Sequence, residues 1–263
     1  TAISVTGQNI VNANTQGYSR QSVNQSTNQA IRTAAGFIGT GVSVDEIVRN
    51  SQKYLVDQVL RDVGSLSDSE TYLTNVTQIN NLLASEQTNL SSYVNQFFDA
   101  LNESVNEPGS MLGRELLLTQ AQQLSAGFKS VDARLQEQKI AVNKQLQGAA
   151  ENITALGRQI AALNQSIGDA TFESGAPNDL LDKLDLLVRE LGSYVNVTTS
   201  ARQGGGLDIY IGQGQPLVAG TNSFQLRTIP GEPDPTQFDL AISNKVDSQN
   251  ITYLLSGGSV GGL

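Results

Sequence analysis

Residues 117–167 read LLTQAQQLSAGFKSVDARLQEQKIAVNKQLQGAAENITALGRQIAALNQSI. Apolar residues fall at Leu117, Ala121, Leu124, Phe128, Val131 and Leu135, then at Val142, Leu146, Ala149, Ile153, Leu156, Ile160, Leu163 and Ile167. The steps alternate four and three, except after the polar seam position Gln138, where two steps of four follow one another. Such spacing gathers the apolar side chains on one seam and predicts core or coiled-coil packing. At about 1.5 Å per residue, a helix from Leu112 to Gly168 spans roughly 85 Å, far beyond the about 11–12 residues of an ordinary globular helix. A rod of antiparallel helices is the natural expectation.

Upstream, Val44, Val48, Leu55, Val59 and Val63 start a helical stripe that continues through Leu66, Leu73, Val76, Ile79 and Leu83. A second stripe runs through Leu90, Val94, Phe97, Leu101 and Val105 and stops at Glu107-Pro108-Gly109-Ser110, because Pro and Gly both break helix. Downstream, Gly175-Ala176-Pro177 interrupts the pattern. Asn178 is a candidate N-cap for a helix from Asp179 to Leu191, and Gly192 a candidate C′ residue.

From Ser193 the period changes to two. Val195–Thr198, Leu207–Ile211, Phe224–Arg227 and Phe238–Ile242 read as strands, separated by Gly204-Gly205-Gly206, Gly212-Gln213-Gly214 and Pro230-Gly231-Glu232-Pro233. The predicted fold class is α+β: an elongated antiparallel helical bundle or coiled-coil rod followed by a small antiparallel β section. The expected division is a partial N-terminal segment and connector over 1–43, a long-helix rod over 44–192, and a β-rich section over 193–263, truncated at its end.

The first segment has too little apolar content for a core of its own. Ala2, Val5, Asn9 and Ile10 sketch a short helix, Ser22–Gln29 is extended in character, and residues 36–42 read as a turn or short hairpin. Residues 1–44 contain Arg20 and Arg32 and no acid, whereas 45–192 carry a net charge of −9 within a chain total of −9. An acidic chain repels a phosphate backbone, so nucleic acid is an unexpected partner. No apolar run approaches the roughly 18 residues of a membrane span.

The chain has no Cys and no His. That excludes disulfides, Cys/His zinc sites, Cys nucleophiles and the Ser-His-Asp triad. Polar chemistry is instead carried by 25 Ser, 19 Thr, 21 Asn and 25 Gln, against 41 charged residues. Asp179, Asp182 and Asp185 recur at three-residue intervals and resemble an oxygen-ligand cluster. Their place in the first turns of a helix makes them, more simply, acids on a solvated face favoured by the helix dipole. Gly212-Gln213-Gly214 begins like a phosphate loop but leads to Pro216 and another strand. No catalytic, cofactor or metal residues are assigned, and no enzymatic activity is expected.

The stretch Asn9-Ile10-Val11-Asn12-Ala13-Asn14-Thr15-Gln16-Gly17-Tyr18-Ser19-Arg20 resembles the N-terminal signature of the bacterial flagellar axial proteins, comprising rod, hook and hook-associated members. Asn9, Ile10, Asn12, Asn14, Thr15, Gly17 and Tyr18 match its pattern, and together with Arg20 they form the candidate assembly motif. Residues 177–191, Val195-Asn196-Val197, Ile211–Gly220 and Gly257–Leu263 resemble the FlgK type, the hook-side junction proteins. One departure is Leu184, where that type commonly has Arg; it reads as a change on a helix surface.

The resemblance implies a structural subunit exported by the flagellar type III apparatus. It would assemble outside the cell as a layer at the hook–filament junction. The implied partners are neighbouring copies, the hook protein, the second hook-associated junction protein and an export chaperone that binds a C-terminal region beyond this chain. No membrane and no cofactor are implied. A rod or hook subunit of the same family is an alternative. A glycan-binding or cell-wall module on a helical stalk is another, for which Tyr194, Tyr210, Phe224, Phe238 and Tyr253 would have to supply a platform.

Overall fold

A computed structural model describes residues 1–34, 36–84, 90–174, 177–244 and 247–263. The chain opens with helix α1 (Ala2–Val11), followed by strands β1 (Gln21–Thr27), β2 (Ile31–Thr33), β3 (Gly36–Ile38) and β4 (Val42–Arg49). β1 pairs antiparallel with β4, with an irregularity between Asn24 and Gln25, and β2 pairs with β3. Val44 and Val48 therefore do not start a helix. Residues 42–49 are rich in β-branched side chains, and β1 takes their backbone groups, with Gln25 opposite Val44 and Ser22 opposite Val48.

The helical part comprises α2 (Lys53–Ala84), α3 (Leu90–Asn106), α4 (Met111–Ser174) and α5 (Asn178–Tyr194). α4 is the helix read from the seam, 64 residues long, or about 96 Å. Ser110 starts it, with its hydroxyl accepting the Gly113 N–H at 3.2 Å. The break at Gly175-Ala176 lies outside the described residues. Pro177, not Asn178, occupies the N-cap of α5. Nor does Gly192 end α5, which continues to Tyr194. Its absent side chain lets α5 cross α2, since a Cβ there would lie 2.3 Å from Leu60 Cδ1.

The β section holds two antiparallel meanders. One is β5 (Val197–Ala201), β6 (Leu207–Ile211), β7 (Gln215–Ala219) and β8 (Asn222–Ser223). The other is β9 (Gln225–Pro230), β10 (Phe238–Asn244) and β11 (Asp247–Asn250). A short helix, α6 (Gly258–Gly262), then packs on α2.

These sheets do not sit beyond the end of the rod. They flank the C-terminal half of α4, from Lys139, which contacts Asp234, to Thr171, which donates to the Gly204 carbonyl. The two halves of the seam consequently differ. In the first, α3 folds back along α4, with Tyr93 against Gly127, and Phe128 remains 53 % exposed. In the second, Ile153, Ile160 and Ile167 are fully buried. They join Leu184, Val188 and Leu191 of α5 and Ile209, Ile211, Leu217, Leu226 and Leu240 of the sheets in one core. Leu184 is thus a core residue (1 % exposed) and not a surface change.

Candidate assembly site

The N-terminal motif is a hydrogen-bonded turn. Asn12 closes α1 by donating its amide to the Gln8 carbonyl at 3.0 Å. It also accepts from Thr15, at its carbonyl from the backbone N–H (2.9 Å) and at Oδ1 from the hydroxyl (3.2 Å). Gly17 adopts φ +84°, a conformation that disfavours side chains, and sits on Leu186 of α5. Tyr18 then points back, donating its hydroxyl to Asn9 Oδ1 at 2.9 Å. Asn9 is the hub: the same Oδ1 accepts the Gln21 N–H at 2.9 Å, and its Nδ2 donates to the Gln21 carbonyl at 2.8 Å. One amide side chain thereby satisfies both backbone groups of the first residue of β1.

The motif is divided by this geometry. Asn9, Asn12, Thr15, Gly17 and Tyr18 are brought together in the turn, while Ile10 (71 % exposed), Asn14 and Arg20 face outward. The backbone carbonyl of Arg20 accepts the Asn50 N–H at 2.8 Å.

The turn is anchored on α5 at Asp182, which with Asp185 faces inward, while Asp179 alone of the three acids lies exposed as a solvated face would have it. Asp182 is buried and accepts the Ser19 N–H at Oδ2, 3.1 Å away. Its Oδ1 lies 3.2 Å from Arg49 Nε, an ionic contact without hydrogen-bond alignment. The same guanidinium donates through Nη2 to Asp185 Oδ2. Asn178 has exchanged capping for a tertiary role, donating Nδ2 to the Ile47 carbonyl at 3.0 Å. Dipole complementarity explains acids in this helix turn, but the placement of Arg49 explains why two of them point inward. Arg49, Asp182, Asp185 and Asn178 were absent from the motif read in the sequence. The available signals were the shared face of Asp182 and Asp185 and a lone cation ending a β-patterned run.

Beside this anchor a cleft of about 410 Å³ separates the turn from α5, lined among others by Gln8, Asn12, Gln16, Asp179 and Lys183. Among the described residues no group of acids, His or Cys is arranged to hold a metal ion. The aromatics of the β section form no open platform. Tyr194, Phe224 and Phe238 pack against the core, and Tyr253 alone of the five is largely exposed. No described helix is long and apolar enough to cross a membrane.

The profile of the flagellar hook-associated protein FlgK helical domain matches residues 76–263. Flagellar hook-associated protein 1 of Salmonella typhimurium is 33 % identical over 267 residues, covering 100 % of this chain and 48 % of that protein. The protein of the same name from Escherichia coli is 30 % identical, again over 100 % of this chain and 49 % of its own length. The chain thus spans about half the length of these relatives. The solved structure of the flagellar hook junction protein FlgK from Burkholderia pseudomallei superposes with a TM-score of 0.72 at 27 % identity, over 78 % of this chain and 38 % of that one. With its long helix, its flanking meanders and its turn around Asn9 all described, this chain belongs to the family of FlgK-type flagellar hook-associated proteins.

Proposed function

We propose that the chain is part of a structural, non-enzymatic adaptor that joins the hook of the bacterial flagellum to its filament. It is exported by the flagellar type III apparatus and works outside the cell, self-assembling as a layer. Its neighbours are further copies, the hook protein below and the second junction protein above, and an export chaperone accompanies it before assembly. The observation that carries this reading is similarity along the whole chain to relatives named flagellar hook-associated protein 1.

Within the proposed subunit, residues 1–49 are the axial segment and connector, extended past 43 because β4 pairs with β1, 50–192 the rod and 193–263 the β section. The motif divides its labour. Asn9, Asn12, Thr15, Gly17 and Tyr18 hold the turn, and Ile10, Asn14 and Arg20 meet neighbouring subunits. Ile10 and Asn14 suit that role because apolar and amide side chains enter an interface without the desolvation cost of a full charge, and Arg20 suits the rim, where its guanidinium keeps its solvent.

Deleting the gene tests the proposal. Cells are expected to carry bare hooks and to release flagellin into the medium, and the wild-type gene to restore filaments where an Ile10→Asp variant does not. Normal filaments in the deletion strain would overturn the reading.

A further inference from the structure

We infer that Arg49 is a positioning residue, a clasp that sets the angle between the N-terminal unit (residues 1–49) and the helical part of the molecule. The inference deepens the adaptor reading and rests on it only for its consequence in assembly.

Two features of packing lead there. Val5 is the one buried apolar side chain among the described residues of 1–49, and the main core has no member before Leu60. The unit is therefore not held to the helices by a shared hydrophobic interior. Its covalent link, residues 50–52, has no regular structure, and the cleft of about 410 Å³ leaves the facing surfaces of turn and α5 incompletely packed.

Orientation then falls to polar contacts, and the described ones that reach the helices converge on one face of α5. Asp182 gathers two distant parts of the unit, taking the Ser19 N–H on one oxygen and Arg49 against the other. Arg49 reaches on to Asp185, one helical turn later. Asn178 holds the Ile47 carbonyl beside them. The planar guanidinium is a rigid fork, so its Nη2 donation to Asp185 together with the charge contact of Nε on Asp182 defines a direction as well as a distance. A lysine supplies the charge without the fork. The arginine is 11 % exposed and Asp182 9 %, so solvent screening does little to loosen the pair.

The absence of native Cys allows clean spin labelling at Thr27→Cys on β1 and Glu190→Cys on α5, both exposed. Pulsed dipolar spectroscopy of the labelled 263-residue chain is expected to give one narrow distance distribution. Arg49→Ala and Arg49→Lys should each broaden it about twofold or more, with Asp185→Asn intermediate, because the charge contact with Asp182 remains. Lys53→Ala, which removes an exposed pair with Asp57 close to the hinge, should leave it unchanged. Helical content and the urea midpoint of the core should stay at wild-type values throughout.

Narrow distributions in both Arg49 variants would overturn the inference. So would loss of helix in both Arg49→Ala and Asp185→Asn, which would make the cluster an ordinary stability element. Because the distances are measured without assembly, an Arg49-dependent change found alongside normal filaments in the deletion strain would sink the adaptor reading alone.

Discussion

The N-terminal unit and the C-terminal half of α4 use the same polar device on different foundations. In the unit, Asn9 bridges the N–H and carbonyl of Gln21. On α4, Asn164 does the same to Leu207, and Thr154 to Leu226 with one hydroxyl. Asn143 joins the Thr236 carbonyl to the Phe238 N–H. Asn143, Thr154 and Asn164 recur after about three helical turns each, so one face of α4 acts as a row of detached strand residues. Beneath that row lie Ile153, Ile160 and Ile167, all fully buried, whereas beneath Asn9 there is little apolar surface. Side-chain bridges specify where backbone goes, and the apolar layer decides how firmly it stays.

The widest gap between the regions should appear in the core. Ile160→Ala is expected to cost about 2–5 kcal/mol in urea unfolding, while Ile10→Ala at an exposed position stays within about 0.5 kcal/mol. Equal losses would mean that the N-terminal unit shares the core after all.

Thr154→Val keeps the shape but leaves the buried backbone groups of Leu226 without their partner, a loss of about 1–3 kcal/mol by the same measurement. Asn9→Ala breaks the matching bridge at Gln21, yet the global midpoint should hardly move. The expected signature is local, with faster hydrogen exchange at the Gln21 amide and unchanged protection across α4. A global shift from Asn9→Ala as large as that from Thr154→Val would erase the contrast drawn between the two regions.

The smallest effect concerns charge at the edge of the β section. Lys139 donates to Asp234, and with the hydroxyl and N–H of Thr236 it holds that carboxyl at about 2, against a modest opposing push from desolvation. A depressed folded-state value means that the stabilising contribution is complete above the ordinary carboxylate range. It fades as pH falls from about 4 toward 2. Carbon-detected NMR titration should place the Asp234 midpoint near the lower end, and Lys139→Met should move it upward. Asp208 offers a second probe. Burial pushes its carboxyl up, but the Gly220 N–H and Arg202 outweigh that and hold it below its usual value. Arg202→Ala should raise it.

The sequence exposed what local periodicity encodes and hid what distant partners decide. The length of α4 and the strand character of Leu207–Ile211 follow from side-chain spacing alone. Val44 and Val48, four residues apart, satisfy a helical pattern equally well, and only pairing with β1 makes them strand. Asp182 looks like any early-turn acid until Arg49, 133 positions earlier, is folded beside it. Leu184 reads as surface in a helix whose two sides both meet neighbours. Within the candidate motif, Gly17 was recognisable by residue type as a φ > 0 position, and Asn9 only through the resemblance to flagellar axial proteins. The division between residues that hold the turn and residues that face outward was not, since it depends on how α1 lies against β1 and α5.

The amide bridges have a consequence for endurance. Asn and Thr side chains do not titrate in any ordinary medium, and neutral hydrogen bonds are not weakened by the ion screening that affects charges. The joints between α4 and its sheets, and the one between α1 and β1, therefore hold the same geometry in fresh or saline, acidic or alkaline surroundings. The partly exposed Lys139–Asp234 pair lacks that indifference. For a subunit proposed to work outside the cell, where no cytoplasm buffers its surroundings, the abundance of Asn, Gln, Ser and Thr amounts to weatherproofing.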